Sequence, residues 1–295
     1  MKRLRCGTIA VVGRPNVGKS TLVNRLSGQK VAIVSNRPQT TRHRIRGVWH
    51  GEDAQIIFVD TPGMHRPLHP LGEQLVLEAE RALTEVDAIL LVVDGTEAPG
   101  PGDRHVIDRA VASGRPLVLA VNKLDRSNPQ AGFVEAYASL GAFRAVHPVS
   151  AQRGTGVNRL IRSLVGLMPE GPALFPEDVV TDQTLRQLAG ELVREQLMRQ
   201  LSDELPHAVA VSIERFDETD PALTHIEATI HVERESQKGI VIGRGAERLK
   251  TVGTQARQAI EQQTGTRVHL ALRVKVLPNW RKDAAHLRRL GYIVD

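Results

Sequence analysis

The chain has 295 residues, enough for two domains of ordinary size, each long enough to bury its own core. Hydrophobic residues make up 41% and charged residues 24%, as in soluble globular proteins, while aromatics are only 3%, so Leu, Val, Ile and Ala must do most of the packing. The single cysteine, Cys6, excludes an intramolecular disulfide, a paired-cysteine redox site and a multi-cysteine zinc site, and no apolar run approaches the roughly 20 residues of a spanning helix. The basic and then apolar start, MKRLRCGTIAVVGRPN, has too short an apolar run for a signal peptide, so a cytoplasmic protein is expected. The net charge of +6 is unevenly spread. Residues 230–295 hold 13 basic and 6 acidic side chains, a net +7, and residues 1–229 come to −1. A localised basic surface suits a polyanion such as nucleic acid, or an anionic membrane, although a solvated basic face explains it equally.

Short runs rich in β-branched residues, Thr8–Val12, Gln55–Val59, Ala88–Val93, Pro116–Val121 and Ala145–Val149, alternate with helical patterns near 18–27, 70–85, 102–113, 129–140 and 156–167. Arg44–His50 suggests an added edge strand. This alternation predicts an α/β domain over 1–168, with a mixed, mostly parallel sheet covered by helices on both faces. Pro169, Pro172 and Pro176 then crowd eight residues, and 169–180 reads as a linker. From 181 to 295 the rhythm changes to α+β. Leu185 to Leu201 forms an amphipathic helix. Val209–Ile213 and Ile226–Val232 alternate as strands, and Ile240–Gln262 is helical but broken by Gly243 and Gly245. Val268–Val276 is a last strand.

Gly13-Arg-Pro-Asn-Val-Gly-Lys-Ser20 fits GxxxxGK[ST], between a strand and a helix as that motif requires. Its backbone N–H groups, from Gly13 through Arg14, Pro15, Asn16, Val17 and Gly18 to Thr21 (Pro15 lacking one), would cradle phosphates. Lys19 would reach the β- and γ-phosphates, and the Ser20 hydroxyl would bind Mg²⁺. Asp60-Thr-Pro-Gly63 ends the strand beside that loop. Asp60 is placed to hold Mg²⁺ through water, and Gly63 offers its N–H to the γ-phosphate. Asn122-Lys-Leu-Asp125 also follows a strand. A carboxylate at Asp125 accepts from guanine N1–H and the 2-amino group, and adenine lacks that second donor. Asn122 and Lys123 would brace the ring, and Ser150-Ala151 resembles a loop whose backbone N–H reads guanine O6. Four motifs in order, each at a strand end, point to GTP or GDP. A P-loop metabolic kinase is disfavoured by the NKLD motif.

Three further segments carry a resemblance. Pro38-Gln-Thr-Thr-Arg-His43 resembles a switch loop. Gly239-Ile-Val-Ile-Gly-Arg-Gly-Ala-Glu-Arg-Leu-Lys250 resembles a GxxG segment, and Arg273-Val-Lys-Val with Trp280-Arg and Leu290-Gly-Tyr292 resembles a chain ending. Together with the nucleotide motifs, they make the chain similar to the translation-factor-related GTPases of the Era-like family. The resemblance implies a P-loop GTPase domain followed by a type II KH domain. It implies that Thr41, or else Thr40, coordinates Mg²⁺, and that loop release after hydrolysis is the switch. It also implies RNA binding by Ile240, Ile242, Gly243, Arg244, Gly245, Ala246, Arg248 and Lys250. Ile240 and Ile242 could equally be plain core residues. The fourth GxxG position is Ala246, which matters if that residue needs positive φ.

The partners so implied are 16S ribosomal RNA near its 3′ end and the 30S subunit, with the chain a monomer. The alternative is a signalling GTPase, peripheral on the inner membrane, whose basic end binds anionic lipid. Met64 stands where many small GTPases carry a water-orienting Gln, so slow turnover is expected. Asn16 resembles the asparagine that in some relatives helps hold K⁺, and its simpler role is to stabilise the loop. His65 and His69, four apart, lack a third metal ligand at obvious spacing.

Overall fold

The computed structural model describes residues 4–37, 39–64, 70–127 and 132–293. It divides into two compact units. The first comprises Met1–Ala32, Thr41–Pro67 and Leu75–Asp182, and the second Ile33–Thr40, Leu68–Gln74 and Gln183–Asp295.

The first unit runs β1 (Leu4–Val12), α1 (Lys19–Ser27), β2 (Ile45–His50), β3 (Ala54–Asp60), most of α2 (Pro70–Thr84, from Leu75 on), β4 (Ala88–Asp94) and α3 (Pro101–Ala112). It continues with β5 (Leu117–Asn122), α4 (Phe133–Ala138), β6 (Ala145–Pro148), α5 (Val157–Val165) and the two-residue β7 (Glu170–Gly171). The sheet order is β2-β3-β1-β4-β5-β6, parallel except for the antiparallel pairs β2–β3 and β1–β7. The central strands are apolar without interruption because both their faces are covered. In β1, Ile9 and Val11 enter one core with Leu22 and Leu26 of α1, while Ala10 and Val12 enter the other with Ile107 of α3 and Tyr137 of α4. The period of two thus feeds both helical layers. It also brings the C-terminal ends of β1, β3 and β5 to one edge of the sheet, where Gly13, Asp60 and Asn122 stand.

The proline-rich segment is held along the first unit instead of running free. Glu170 and Gly171 pair with Arg5 and Leu4. The buried Gln55 side chain accepts from the N–H groups of Leu174 (2.7 Å) and Phe175 (3.0 Å) and donates to Phe175 O (2.7 Å). The Val48 N–H donates to Val180 O (2.8 Å), and Gly47 bridges Thr181. Prolines forbid a helix there, yet an extended strap can still satisfy backbone groups of the edge strand β2.

The second unit contains α6 (Leu185–Gln200), β8 (Ala210–Asp217), β9 (Leu223–Val232), α7 (Glu235–Ile242), α8 (Glu247–Thr264), β10 (Arg267–Val276) and α9 (Ala284–Arg289). Its sheet order is β10-β9-β8, antiparallel between β8 and β9 and parallel between β9 and β10. Ile226 and Ile230 of β9 pack with Leu192 and Leu197 of α6 and with Val252 and Ile260 of α8. Thr184 caps α6 through a capping box with Gln187. Where an amphipathic α6 is expected, every residue from Leu188 to Met198 except Glu191 is buried, Arg194 and Glu195 included. The reason is a second layer within the same unit. Ile33 joins its core, Glu195 accepts the Val34 N–H (2.9 Å), and the Arg194 guanidinium donates to Thr40 O and grips Glu191.

Candidate functional site

The loop between β1 and α1 has the backbone that its sequence demands. Gly18 sits at φ +98°, and a Cβ there would lie 2.3 Å from the Asn122 side chain. At Gly13 a Cβ would meet Val92 O at 2.3 Å. Lys19 is buried and donates to the carbonyls of Gly13 (3.1 Å) and Arg14 (2.9 Å), folding its ammonium over the loop. Burial lowers its pKa to about 8, against the opposing charge of Asp60. Arg14 contributes only backbone here, because its guanidinium pairs with Asp103 (2.7 Å) and Glu97. Val17 presents its carbonyl to Asn122, and Thr21 is half-buried in the first turn of α1. Asn16 is exposed at φ +66°.

At the mouth of the loop, three oxygen-bearing side chains converge. Ser20 Oγ donates to Asp60 Oδ2 (2.7 Å), Thr41 Oγ1 donates to the same atom (3.1 Å), and the two hydroxyls lie 2.9 Å apart. Asp60 is fully buried, and its Oδ1 has no hydrogen-bond partner among the described residues. Burial pushes its pKa up, while Lys19 and the two hydroxyls pull it down. An orphaned carboxylate oxygen beside two hydroxyls is an all-oxygen donor set that fits Mg²⁺, a hard cation that keeps much of its water. The neighbouring Thr40 instead turns its hydroxyl to Arg37 O (2.7 Å), so Thr41 is the threonine brought to this cluster.

After Asp60, Thr61 ties the strand end to Val11 O (2.8 Å). A Cβ on Gly63 would stand 2.9 Å from Pro15 N, so only glycine lets this loop approach the P-loop. The Met64 N–H reaches Gly13 O (3.3 Å), and its side chain is buried in the apolar core.

At the other end, Asn122 donates to Val17 O (2.8 Å) and accepts from the Ala151 N–H (2.9 Å). Lys123, at φ +65°, pairs with Asp94 (2.5 Å). Ser150 Oγ donates to Asp125 Oδ1 (2.5 Å) and holds that carboxyl below its ordinary pKa. All four nucleotide motifs therefore lie along one sheet edge. Ser150 and Ala151, expected in a loop that reads the base, stand at this edge, and the Ala151 N–H donates to Asn122 Oδ1.

In the second unit, α7 stops at Gly243 (φ +74°), where a Cβ would come within 2.9 Å of Arg248. Gly245 (φ +58°) faces open space, and Ala246 is held at φ +62°. Ile240 is 48% exposed and Ile242 half-buried, so neither is a plain core residue; Val241 between them is the one in the core. Arg248 donates to Ile240 O (2.5 Å) and caps α7, leaving Arg244 and Lys250 as the basic groups of the loop not engaged this way. Beside the loop lies a groove of about 310 Å³, lined by Leu249, Gly253, Arg257, Leu270 and Leu272 among others. Sequence reasoning missed these five. The signal was present as a 3–4 residue spacing along α8 from Ala246 and as alternation on β10.

Residues 8–123 match the family described as 50S ribosome-binding GTPases, and residues 204–281 match the KH domain. Among solved structures, a single-residue variant of Aquifex aeolicus Era bound to GDP·AlF₄⁻ is 38% identical, with a TM-score of 0.94 over 99% of this chain and 100% of that one. The chain belongs to the Era family. Era in complex with MgGDPNP and nucleotides 1506–1542 of 16S ribosomal RNA matches with the same identity, coverage and TM-score. This Era-family chain is thus a GTPase with a KH domain, and the fold expected from its sequence is the fold it has. His65, His69 and Pro38 lie outside the described residues.

Proposed function

We propose that the chain binds GTP with Mg²⁺, hydrolyses it slowly, and uses the nucleotide state to control the grip of its KH groove on single-stranded RNA near the 3′ end of 16S ribosomal RNA, during assembly of the small ribosomal subunit. The observation that carries the nucleotide half is the cluster of Ser20, Thr41 and Asp60, in which both hydroxyls meet Asp60 Oδ2 while the buried Oδ1 has no partner among the described residues. In this reading those three residues hold Mg²⁺, Asp60 through water, and the ion supplies positive charge to the phosphate oxygens. Lys19 exchanges two carbonyls for the β- and γ-phosphates. Gly63 offers backbone to the γ-phosphate. Asp125 accepts from guanine N1–H and the 2-amino group. With Met64 buried, no side chain at that position orients water, so backbone groups or a partner must do so and intrinsic turnover is slow.

The RNA half is supported by the Era structure that holds nucleotides 1506–1542 of 16S ribosomal RNA, and by the +7 of residues 230–295. Bases would lie in the groove against Leu249, Leu270 and Leu272, and the sugar–phosphate chain would pass Gly243 to Ala246. The test is titration of labelled single-stranded RNA from that 3′ end with a non-hydrolysable GTP analogue, with GDP and with no nucleotide, at fixed salt. Tight, sequence-selective binding that favours the GTP form is expected. Weak binding indifferent to sequence and nucleotide would overturn the RNA half, and binding to anionic vesicles in its place would favour membrane attachment.

A further inference from the structure

Part of the chain between α1 and β2 is fastened along α6. Ile33 sits in the core of the second unit, and the Val34 N–H donates to Glu195 (2.9 Å). The Arg37 guanidinium donates to Leu201 O (3.3 Å), and Thr40 O accepts from the Arg194 guanidinium. This last hold is made by a side chain only 1% exposed. Its Nε and Nη2 grip the two carboxylate oxygens of Glu191 (2.9 and 2.5 Å), and Nη1 meets Met198 Sδ (3.4 Å). Nη2 also carries the bond to Thr40 O. Glu191, Arg194 and Met198 stand at i, i+3 and i+7 and so share one face of α6.

A pair so deeply buried gains little stability over apolar side chains of the same volume, because both charges lose their water. Apolar side chains, however, could not hold a carbonyl. The Thr40 C=O and the Thr41 N–H belong to one planar peptide, so a grip on that oxygen places the Thr41 Cα. The Thr41 hydroxyl stands 2.9 Å from Ser20 Oγ and 3.1 Å from Asp60 Oδ2, while the Thr40 hydroxyl is turned back to Arg37 O. We propose that Arg194 is a positioning residue for this cluster: by holding Thr40 O it fixes the peptide that carries Thr41, and so delivers the Thr41 hydroxyl to Ser20 and Asp60. Its effect on Mg²⁺ rests on the reading of that cluster given above. A lysine at 194 has a single ammonium in place of the planar fork, and cannot grip both carboxylate oxygens and the carbonyl at once.

The experiment measures dissociation constants for a non-hydrolysable GTP analogue, with Mg²⁺ and with EDTA, in the full-length protein and its variants. Hydrogen exchange of peptides spanning 33–41 is followed without nucleotide. Removing Arg194 alone would strand the Glu191 charge, so the first variant combines Arg194→Met with Glu191→Gln, and Arg194→Lys is the second. In the first, the affinity gained from Mg²⁺ should shrink by about tenfold, the worth of one hydrogen bond, while affinity in EDTA is kept and 33–41 exchanges faster. Arg194→Lys should lose less. Thr41→Ala should lose the same Mg²⁺-dependent gain, and adding the first variant to it should lose nothing more, because Arg194 acts through Thr41. Equal losses with Mg²⁺ and with EDTA would reduce Arg194 to a structural role and overturn the proposal. So would a full further loss on top of Thr41→Ala, or unchanged exchange at 33–41. A wild type whose affinity is indifferent to Mg²⁺ would instead overturn the underlying reading of the cluster as a metal site.

Discussion

Lys19 keeps a cation inside the protein, and its pKa of about 8 lies below the 10.5 of a free lysine because burial disfavours the charge. Without nucleotide, the folded chain gives up this proton more easily than the unfolded chain does. The contribution of Lys19 to stability therefore rises with pH between about 8 and 10.5. A triphosphate reverses the preference, since it binds the charged form. GTP binding at pH 8.5 should take up a fraction of a proton that is absent at pH 7. Calorimetry in two buffers of different ionisation enthalpy, without Mg²⁺ so that Asp60 stays out of the balance, reads this directly. Equal proton uptake at both pH values would contradict a Lys19 that titrates near 8. Asp125 gives the sharper test of base choice. Ser150 steadies its carboxylate at 2.5 Å, and an amide in its place presents a donor toward carbon 2 of the base. Asp125→Asn should lose roughly a hundredfold in GTP affinity and gain binding of xanthosine triphosphate. Retained GTP selectivity would remove Asp125 from the base-reading role.

At the scale of elements, the turn from α7 into α8 carries a residue that works against its own backbone. Ala246 occupies the left-handed region at φ +62°, where a Cβ costs roughly 1–2 kcal/mol. Glycine would remove that strain and return part of the gain as unfolded-state entropy. Ala246→Gly should therefore stabilise the protein by about 0.5–1 kcal/mol, read as a higher urea midpoint at unchanged slope. A lower midpoint would mean that the methyl group's packing outweighs the strain. This turn also shows where the sequence stops being informative. The GxxG pattern marks the turn, but no pattern states the φ of its fourth residue. The buried parallel strands were legible because runs such as Ala88–Asp94 are apolar throughout, and the P-loop because glycine spacing leaves little choice of backbone. Two features were not. The strap over 169–182 is held by Gln55 and by backbone groups, which leave no periodic signature. The burial of Arg194 and Glu195 depends on Ile33, Val34 and Thr40, about 160 residues away in the chain, and local periodicity cannot register that.

Over the whole molecule the decisive quantity is where charge lies. The −1 of residues 1–229 and the +7 of residues 230–295 place the excess of positive charge on residues 230–295, a part of the second unit. Arg248 caps α7 and Arg257 pairs with Glu261, so Arg244 and Lys250 are the groups on this loop best placed to meet phosphates. Each phosphate neutralised on a single strand contributes roughly −0.7 to the slope of log affinity against log salt. Replacing both residues by alanine should make that slope shallower by about 1.4, with the sequence preference of the remaining binding kept. GTP affinity in the same double variant should not change, because neither residue belongs to the edge where Gly13, Asp60 and Asn122 meet. If the slope stayed the same while affinity fell, Arg244 and Lys250 would be shaping the loop instead of neutralising phosphates. The salt-dependent contacts would then have to be sought on the other basic side chains of residues 230–295.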